Sequence, residues 1–221
     1  MTSPGKPAPR ERRLVVTDVD STLITGEVIE MLADHAGSGE RVADITNRAM
    51  RGEIDFGRSL VERVATLEGL PVTVLDDVLH EIELTPGAER LVAALHDAGW
   101  PVGVVSGGFV EVVEPLAQRL GIGFVRANRL EVADGRLTGR VTGAVVDAQA
   151  KADALREFAA EQGVPLDRTV AIGDGANDLL MLQAAGLGIA FNAKPVVSDQ
   201  ADVAVPGKRL DAVLELLGLE A

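Results

Sequence analysis

The stretch that decides the fold is residues 14–22, LVVTDVDST, in which a short apolar run ends in two carboxylates. Residues 14–16 are too few for a helix and are typical of a buried strand in a parallel sheet. Asp18 and Asp20 follow directly, at the carboxyl end of that strand, where α/β sheets place their ligands. The stretch therefore predicts an α/β fold with polar chemistry at one edge of the sheet, although a solvated strand end would have the same residues.

Four more short apolar runs follow, each bounded by Gly, Asp or Pro and separated by segments with helical periodicity. This alternation is typical of a parallel sheet covered by helices. The stretch 129–141 differs, because Asp134-Gly135 between alternating residues predicts a β-hairpin. The further strands are predicted at 102–105, 169–172, 187–190 and 202–205, and the helices at about 86–98, 109–120, 149–162, 176–185 and 209–218.

One interval of the chain is too long for a single crossover helix. Residues 25–84 contain helical periodicity and no convincing strand, so we predict a helical subdomain inserted into an α/β core made of residues 14–24 and 85–221. Residues 1–13 carry four Lys or Arg, one Glu and three Pro, and we expect this tail to be disordered. The helical segments of the insertion are predicted at about 26–36, 39–51, 56–68 and 72–83.

Composition excludes several classes of function. The chain has 21 Lys and Arg against 34 Asp and Glu, a formal net charge of −13, so neither nucleic acid nor an anionic membrane is expected as the main partner. There is no cysteine, which excludes a disulfide scaffold, a thiolate zinc site and a cysteine nucleophile. No signal-peptide pattern and no long apolar run occurs, and we expect a cytoplasmic protein. The oligomeric state is not indicated.

Two further polar clusters follow predicted strands. Residues 106–108, SGG, offer a hydroxyl and backbone N–H groups that suit a phosphate, although a tight turn would use the same residues. Residues 173–178, GDGAND, contain more polar groups than a helix N-cap requires. With Asp18 and Asp20 they predict an oxygen-rich site of the kind that Mg²⁺ prefers. A P-loop and an EF-hand are both excluded by the spacing of these residues.

An anionic phosphate also needs a cation beside these carboxylates. Lys151 is the candidate, because it lies at the start of a predicted helix, where a positive charge opposes the helix dipole. A structural role for this lysine is therefore less expected than usual. A solvated surface lysine is an equally good interpretation of the position alone.

Taken in order, these motifs resemble the four motifs of the haloacid dehalogenase superfamily of phosphohydrolases. The motifs are Asp18-x-Asp20-x-Thr22, Ser106, Lys151 and Gly173-Asp174-Gly175-x-Asn177-Asp178. Within that superfamily the chain is similar to the phosphoserine phosphatases, through residues 105–109 (VSGGF), residues 127–130 (ANRL) and the helical insertion after the first motif. The resemblance implies a doubly wound, mainly parallel, Rossmann-like core with a helical cap.

The resemblance also implies a reaction, the Mg²⁺-dependent hydrolysis of a phosphomonoester through an aspartyl-phosphate. The implied substrate is O-phosphoserine, in the last step of serine biosynthesis. Asp18 would be the nucleophile and Asp20 the general acid and base. Mg²⁺ would be held by Asp18, the Asp20 backbone carbonyl and Asp174. The implied phosphate-binding residues are Ser106, Gly107, Lys151 and Asn177, with Thr22 and Asp178 in support.

Specificity is expected to come from the insertion. Arg63 falls on an apolar helical face with Phe56 and Leu60, where a guanidinium can bind a carboxylate through two hydrogen bonds or can lie at the edge of the face and reach solvent. Glu27 also fits as an ordinary acid in a first helical turn. The roles implied by the resemblance are Arg63 for the substrate carboxylate, Glu27 for its amino group, and Met50 and Phe56 for closing over it.

Three other functions stay open on the sequence alone. A phosphotransferase would pass the same aspartyl-phosphate to another alcohol such as homoserine. A receiver-like signalling module would accept phosphate at an acidic sheet edge, but it needs neither a second acid nor a cap. A catalytically silent protein that binds a phosphorylated ligand would release no phosphate, so a phosphate-release assay separates these classes.

Overall fold

The computed structural model describes residues 11–50 and 53–220, with the side chain of Met50 outside the described part. The strands are β1 (Leu14–Thr17), β2 (Val102–Phe109), β3 (Phe124–Ala133), β4 (Arg136–Thr142), β5 (Thr169–Gly173), β6 (Leu187–Phe191) and β7 (Val203–Val205). They form one sheet in the order β4-β3-β2-β1-β5-β6-β7. Neighbouring strands are parallel except β3 and β4, so the predicted, mainly parallel α/β fold is confirmed.

The helices lie within a few residues of the predicted positions, except for a short helix at residues 195–198 that was not predicted. They are α1 (Val28–His35), α2 (Gly39–Met50), α3 (Phe56–Val64), α4 (Val74–Glu81), α5 (Ala88–Asp97), α6 (Val110–Arg119), α7 (Ala148–Gln162), α8 (Leu179–Ala184), α9 (Pro195–Ser198) and α10 (Val213–Leu216). The predicted helices at 176–185 and 209–218 each begin with a 3₁₀ turn, at residues 176–178 and 210–212. Within residues 11–50 and 53–220, no helix combines the length and apolarity that a membrane crossing requires.

Strand β1 lies at the centre of the sheet because both of its faces are apolar. Its side chains alternate, with Val15 in the core on one face and Leu14 and Val16 in the core on the other. Val15 pairs with Val102 of β2 on one side and with Val170 of β5 on the other. The strand order reverses at β1, so the loops after β1, β2 and β5 meet at one edge, at the switch point where such sheets bind ligands.

The predicted end of β2 at residue 105 is wrong. The strand continues to Phe109, which pairs with Asn128, and the register with β3 shifts between Val105 and Phe109. Residues 106–108 are therefore extended backbone within the strand and not a turn after it. Two consecutive glycines are common in turns, but Gly107 and Gly108 instead allow neighbouring side chains to approach the strand closely.

The predicted hairpin is confirmed, and its first strand has two kinds of neighbour. Strand β3 pairs in parallel with β2 through residues 124–126 and then antiparallel with β4 from residue 129. Asp134 and Gly135, with φ of 50° and 72°, form the turn, as expected for a two-residue hairpin loop of this composition.

Helices α1 to α4 lie between β1 and α5, and the chain leaves and re-enters the core at neighbouring points. Ile24 and Leu84 form an isolated antiparallel bridge, and Thr85 N donates to Leu23 O at 3.0 Å. The division into a core (14–24 and 85–221) and a helical cap (25–84) stays a prediction.

The insertion also contacts the tip of the β3–β4 hairpin through its backbone. Gly69 N donates to Leu137 O at 2.8 Å, and Leu137 N donates to Leu70 O at 2.9 Å. Val72 N donates to Gly135 O at 2.9 Å. The second half of the insertion is thus hydrogen-bonded to the sheet at a second place, in addition to the Ile24–Leu84 bridge.

The expected disordered tail falls mostly outside the described residues, which begin at Glu11. The last residues of that segment contact the core. Arg12 donates to the Gln162 carbonyl at 2.7 Å, and the Arg13 guanidinium lies 5.5 Å from the centre of the Trp100 ring.

Candidate active site

A cavity of about 870 Å³ lies between the carboxyl edge of the sheet and the insertion. The core contributes Asp18, Asp20, Gly107, Asp174 and Asn177 to its lining, and the insertion contributes Glu27, Phe56 and Arg63. The structure therefore brings residues from several strand ends of the sheet and from the helices of the insertion together around one space.

Lys151 is the centre of a buried ion network and not a solvated lysine. Its side chain is fully buried, and its Nζ lies 2.8 Å from Asp18 Oδ1 and 2.7 Å from Asp178 Oδ1. Burial alone would lower the pKa of this ammonium, but the Asp178 and Asp18 carboxylates raise it above its usual value. The Asp147 side chain caps α7 by accepting from Ala150 N at 2.9 Å, which fixes the turn that carries Lys151. The interpretation of Lys151 as a solvated residue is wrong.

Asp18 and Asp20 have different surroundings although they are two residues apart. Burial and the adjacent Asp178 raise the pKa of Asp18 well above its usual range, against the opposing effect of Lys151. Asp20 accepts from Val28 N at 2.8 Å through Oδ1 and from the Ser106 hydroxyl at 3.0 Å through Oδ2. Burial raises its pKa as well, and these two hydrogen bonds oppose the rise. The Asp18 carboxylate is thus ion-paired, whereas among the described residues the Asp20 carboxylate accepts hydrogen bonds only from neutral donors.

Three carboxylates at this edge form a cluster that fits a divalent cation. Oxygens of Asp18, Asp174 and Asp178 all lie within 4.8 Å of one another. Burial and Asp178 raise the pKa of Asp174 to about 6, and its Oδ1 accepts from the Thr22 hydroxyl at 2.9 Å. Oxygen-only ligands of this charge suit a hard cation such as Mg²⁺. The donor set therefore fits a metal site, and Asp178 belongs to the same cluster.

Ser106 and the glycines after it form a close-packed contact with the acids. The Ser106 hydroxyl donates to Asp20 and accepts from Gly108 N at 2.8 Å. A Cβ on Gly108 would lie 2.9 Å from Asp20 Oδ2 and 3.0 Å from Ser106 Oγ. Only glycine fits there without displacing the carboxylate.

Asn128 holds this segment in place, and the sequence analysis assigned it no role. It is buried on β3, where its amide donates to Gly107 O at 2.8 Å and accepts from Val146 N at 2.9 Å. It therefore links the strand end of β2 to the segment before α7. The available signal was the position of Asn128 within residues 127–130 (ANRL), which the family resemblance had already singled out.

The insertion side of the cavity carries two opposite charges with few partners. Among the described residues, the Arg63 side chain makes one hydrogen bond, from Nε to Ser59 O at 3.3 Å, and no ion pair within 4.0 Å. Burial lowers its pKa, while Glu27 and Asp20 oppose that effect. Glu27 accepts from the Ser21 hydroxyl at 3.0 Å, and burial together with Asp20 raises its pKa to about 7. Phe56 lines the cavity beside them, and the predicted contact of the Met50 side chain lies outside the described part.

Several further polar residues line the cavity, although no role was assigned to them from sequence. Asn192 and Lys194 follow β6 at the same edge of the sheet, so the rule that ligands bind at strand ends could have found them. Thr46 on α2 also lines the cavity, and its buried hydroxyl has no hydrogen-bond partner in the described part of the chain. Another is Ser21, in the loop after β1.

Comparison with known proteins agrees with this geometry. Residues 15–183 match the family described as haloacid dehalogenase-like hydrolase. Phosphoserine phosphatase SerB2 of Mycobacterium tuberculosis is 58% identical over 210 residues, which cover 95% of this chain and 51% of that protein. A phosphoserine phosphatase of Streptococcus thermophilus is 52% identical over 204 residues, covering 92% of this chain and 95% of that protein.

A solved structure of similar fold is described as a phospho-aspartyl intermediate analogue of phosphoserine phosphatase. It has a TM-score of 0.88 and 41% sequence identity, covering 94% of this chain and 99% of that one. The chain spans about half the length of the first curated relatives that it matches.

Proposed function

The chain belongs to the haloacid dehalogenase-like hydrolases, and we propose that it hydrolyses the phosphomonoester O-phosphoserine to serine and phosphate. The observation that carries the proposal is the pairing of two sets of groups across one cavity. Asp18 and Asp20 lie on the core side, and Arg63 and Glu27 lie on the insertion side. A substrate with a phosphate at one end and a carboxylate and an ammonium at the other fits both sets, and the relatives named phosphoserine phosphatase support this choice.

In the first step Asp18 attacks phosphorus and the bond to the serine oxygen breaks. One carboxylate oxygen of Asp18 is bound to Lys151, which leaves the other for phosphorus. Asp20 donates its proton to the leaving oxygen, and its raised pKa favours that protonated form. In the second step Asp20 takes a proton from water, the water oxygen bonds to phosphorus, and the Asp18–phosphorus bond breaks.

The proposed metal is Mg²⁺, with Asp18, Asp174 and the Asp20 backbone carbonyl as its protein ligands. When bound, it would offset negative charge on the phosphoryl oxygens. The oxygen cluster of Asp18, Asp174 and Asp178 supports this assignment. Thr22 orients Asp174 through its hydroxyl, and Asp178 orients Lys151.

The remaining groups bind the two ends of the substrate. We assign the phosphate to Ser106, the Gly107 N–H, Lys151 and Asn177. Arg63 would bind the substrate carboxylate with two hydrogen bonds, and Glu27 its ammonium. Phe56 and Met50 would close over the substrate and exclude bulk water during transfer.

The test is a panel of phosphomonoesters assayed for phosphate release with Mg²⁺, with and without homoserine. We expect phosphoserine to be the preferred substrate and homoserine to leave phosphate release unchanged. Formation of phosphohomoserine would show a phosphotransferase instead, and binding without any phosphate release would show a silent ligand-binding protein. Excess chelator should abolish activity, and Ca²⁺ should inhibit, since it prefers longer bonds and more ligands than Mg²⁺.

The cellular setting is part of the same proposal. We place the reaction at the last step of serine biosynthesis, in the cytoplasm, with a small phosphomonoester and not nucleic acid as partner. The net charge of −13 supports the last point. Growth of a serine-requiring strain on expression of the chain, together with cell fractionation, tests the placement.

A further inference from the structure

Ser21, in the loop after β1, has an unusual backbone conformation. Its φ is +56°, in the left-handed region. The other described non-glycine residues with positive φ are Asp134, in the hairpin turn, and Asn192, and Asp and Asn are the types that tolerate this region. Serine has no such preference, so its conformation at this position costs free energy that other contacts must offset.

The contacts of Ser21 connect the loop after β1 to the first helix of the insertion. Its N–H donates to Gly26 O at 3.1 Å, and its hydroxyl donates to Glu27 Oε1 at 3.0 Å. This is the only hydrogen bond to the Glu27 carboxylate among the described residues. The charges that act on Glu27 are the acids Asp20, Asp174 and Glu30, which repel its carboxylate, and the Arg63 guanidinium, which attracts it without a hydrogen bond between the two side chains among the described residues.

We propose that Ser21 is a positioning residue, whose hydroxyl holds the Glu27 carboxylate in the orientation that binds the substrate ammonium. The inference rests on the proposed function and adds a residue to its specificity. Because Ser21 directly follows Asp20, the same loop carries the acid that protonates the leaving oxygen and the group that orients Glu27. Residues 20–27 would then fix the distance between the phosphate group and the substrate ammonium.

The experiment compares phosphoserine with 3-phosphooxypropanoate, which has the same phosphate and carboxylate but no amino group. Loss of one hydrogen bond to a charged group predicts that Ser21→Ala raises KM for phosphoserine about 5- to 20-fold with kcat little changed. The amine-free analogue should change by less than about twofold, because it makes no contact that the hydroxyl supports. Ser21→Gly, which relieves the backbone cost but also lacks the hydroxyl, should give the same selective loss.

A double-mutant cycle with Glu27→Gln separates positioning from a general effect on the loop. Adding Ser21→Ala to Glu27→Gln should lower kcat/KM for phosphoserine by less than about twofold further, because both substitutions remove the same interaction with the substrate ammonium. Ser38→Ala is the matched control. Ser38 is a half-buried serine of the insertion that bonds to Ala33 O and Thr66 and does not line the cavity.

Three results would overturn the inference: equal losses for both substrates, full recovery of selectivity in Ser21→Gly, or additive losses in the cycle. Each of them would make Ser21 a structural residue of the loop. The wild-type protein provides the separate check, because its failure to hydrolyse phosphoserine would overturn the proposed function itself.

Discussion

The two sides of the cavity hold their charged groups in different ways. On the core side, Lys151 is fully buried and contacts two carboxylates at 2.8 and 2.7 Å. On the insertion side, the partly buried Arg63 side chain makes a single hydrogen bond to the described residues, of 3.3 Å to a backbone carbonyl. On the core side Asp18, Asp178 and Lys151 are ion-paired with one another, whereas the described residues give the Arg63 guanidinium no ion-pair partner within 4.0 Å.

This difference is what we expect if the core side of the cavity carries out the reaction and the insertion side recognises the substrate. Groups that act on charge in a transition state work best when the protein fixes them in advance. Groups that choose a substrate need bonding capacity that only the correct ligand fills. Substitutions on the core side should therefore affect every substrate, and substitutions on the insertion side should affect only substrates with the matching groups.

The largest expected effect comes from breaking the core side. Asp18→Asn should lower phosphate release by at least about 1000-fold for all substrates, because an amide is a poor nucleophile. Asp20→Asn should instead allow a slow phosphoenzyme from a substrate with a good leaving group, measurable after acid quench. Asp153→Asn, an exposed acid on α7, is the control. Near-wild-type rates in both active-site variants would contradict the assignment.

The next effect sharpens the contrast between substrates. Arg63→Ala should reduce kcat/KM for phosphoserine by about 30- to 1000-fold, the cost of a charge-assisted bidentate contact of about 2 to 4 kcal/mol. An aryl phosphate, which lacks the carboxylate, should lose far less. Arg58→Ala removes an exposed arginine from the same helix and should leave both substrates unaffected. A loss of equal size for both substrates would show that Arg63 only supports the fold.

The core side could be predicted from sequence because its residues follow buried strands directly. Asp18, Asp20 and Asp174 each end an apolar run, and parallel strand ends meet at one edge. Glu27 and Arg63 were different, since each also fitted an ordinary place on a helix. Their roles came from the family resemblance and remain proposals.

Hydrogen bonds between residues far apart in sequence could not be predicted from local sequence patterns. Asn128 acts on Gly107 and Val146, both about 20 residues away in sequence. Its role depends on the extension of β2 past Val105, which was not predicted because the glycines at 107 and 108 also suit a turn. The Ser21 hydrogen bond was hidden for a related reason, because no sequence rule predicts a serine with positive φ.

Another substitution tests how far the stability of the core depends on the two Asn128 hydrogen bonds. Asn128→Ala removes two hydrogen bonds in a buried place and leaves Val146 N without its acceptor, which should cost about 1 to 3 kcal/mol of unfolding free energy. Urea denaturation measures it. Asn47→Ala, on the exposed face of α2, should cost almost nothing. Equal stability of the two variants would show that the Asn128 contacts contribute nothing to the fold.

A further prediction is a pH dependence of the stability of the metal-free protein. The pKa of Glu27 is raised from 4.5 to about 7 and that of Asp174 from 3.8 to about 6, so the folded state holds protons that the unfolded chain has released. Unfolding free energy from these groups should therefore fall as pH rises from about 5 to 7.

The check is the melting temperature of the protein in excess chelator, measured between pH 5 and 8. A change of about 1 kcal/mol in unfolding free energy should shift the melting temperature by about 2 to 4 °C. Glu27→Gln should reduce the slope, and Mg²⁺ should restore stability at pH 8. Asp153→Asn, the exposed acid on α7, is the control because Asp153 does not act on Glu27 or Asp174. A rise in melting temperature over this range, with the same slope in Glu27→Gln, would contradict the sign.

The antiparallel bridge between Ile24 and Leu84 makes the insertion exchangeable. Its two ends leave the core side by side, so another segment with equally close ends could replace it in a chimera without interrupting any strand. Such exchange would let substrate preference diversify while the phosphoryl chemistry stays constant. The hairpin restricts the choice, because Gly69, Leu70 and Val72 bond to its backbone. A transplanted segment must therefore carry a matching backbone edge, or bring the hairpin with it.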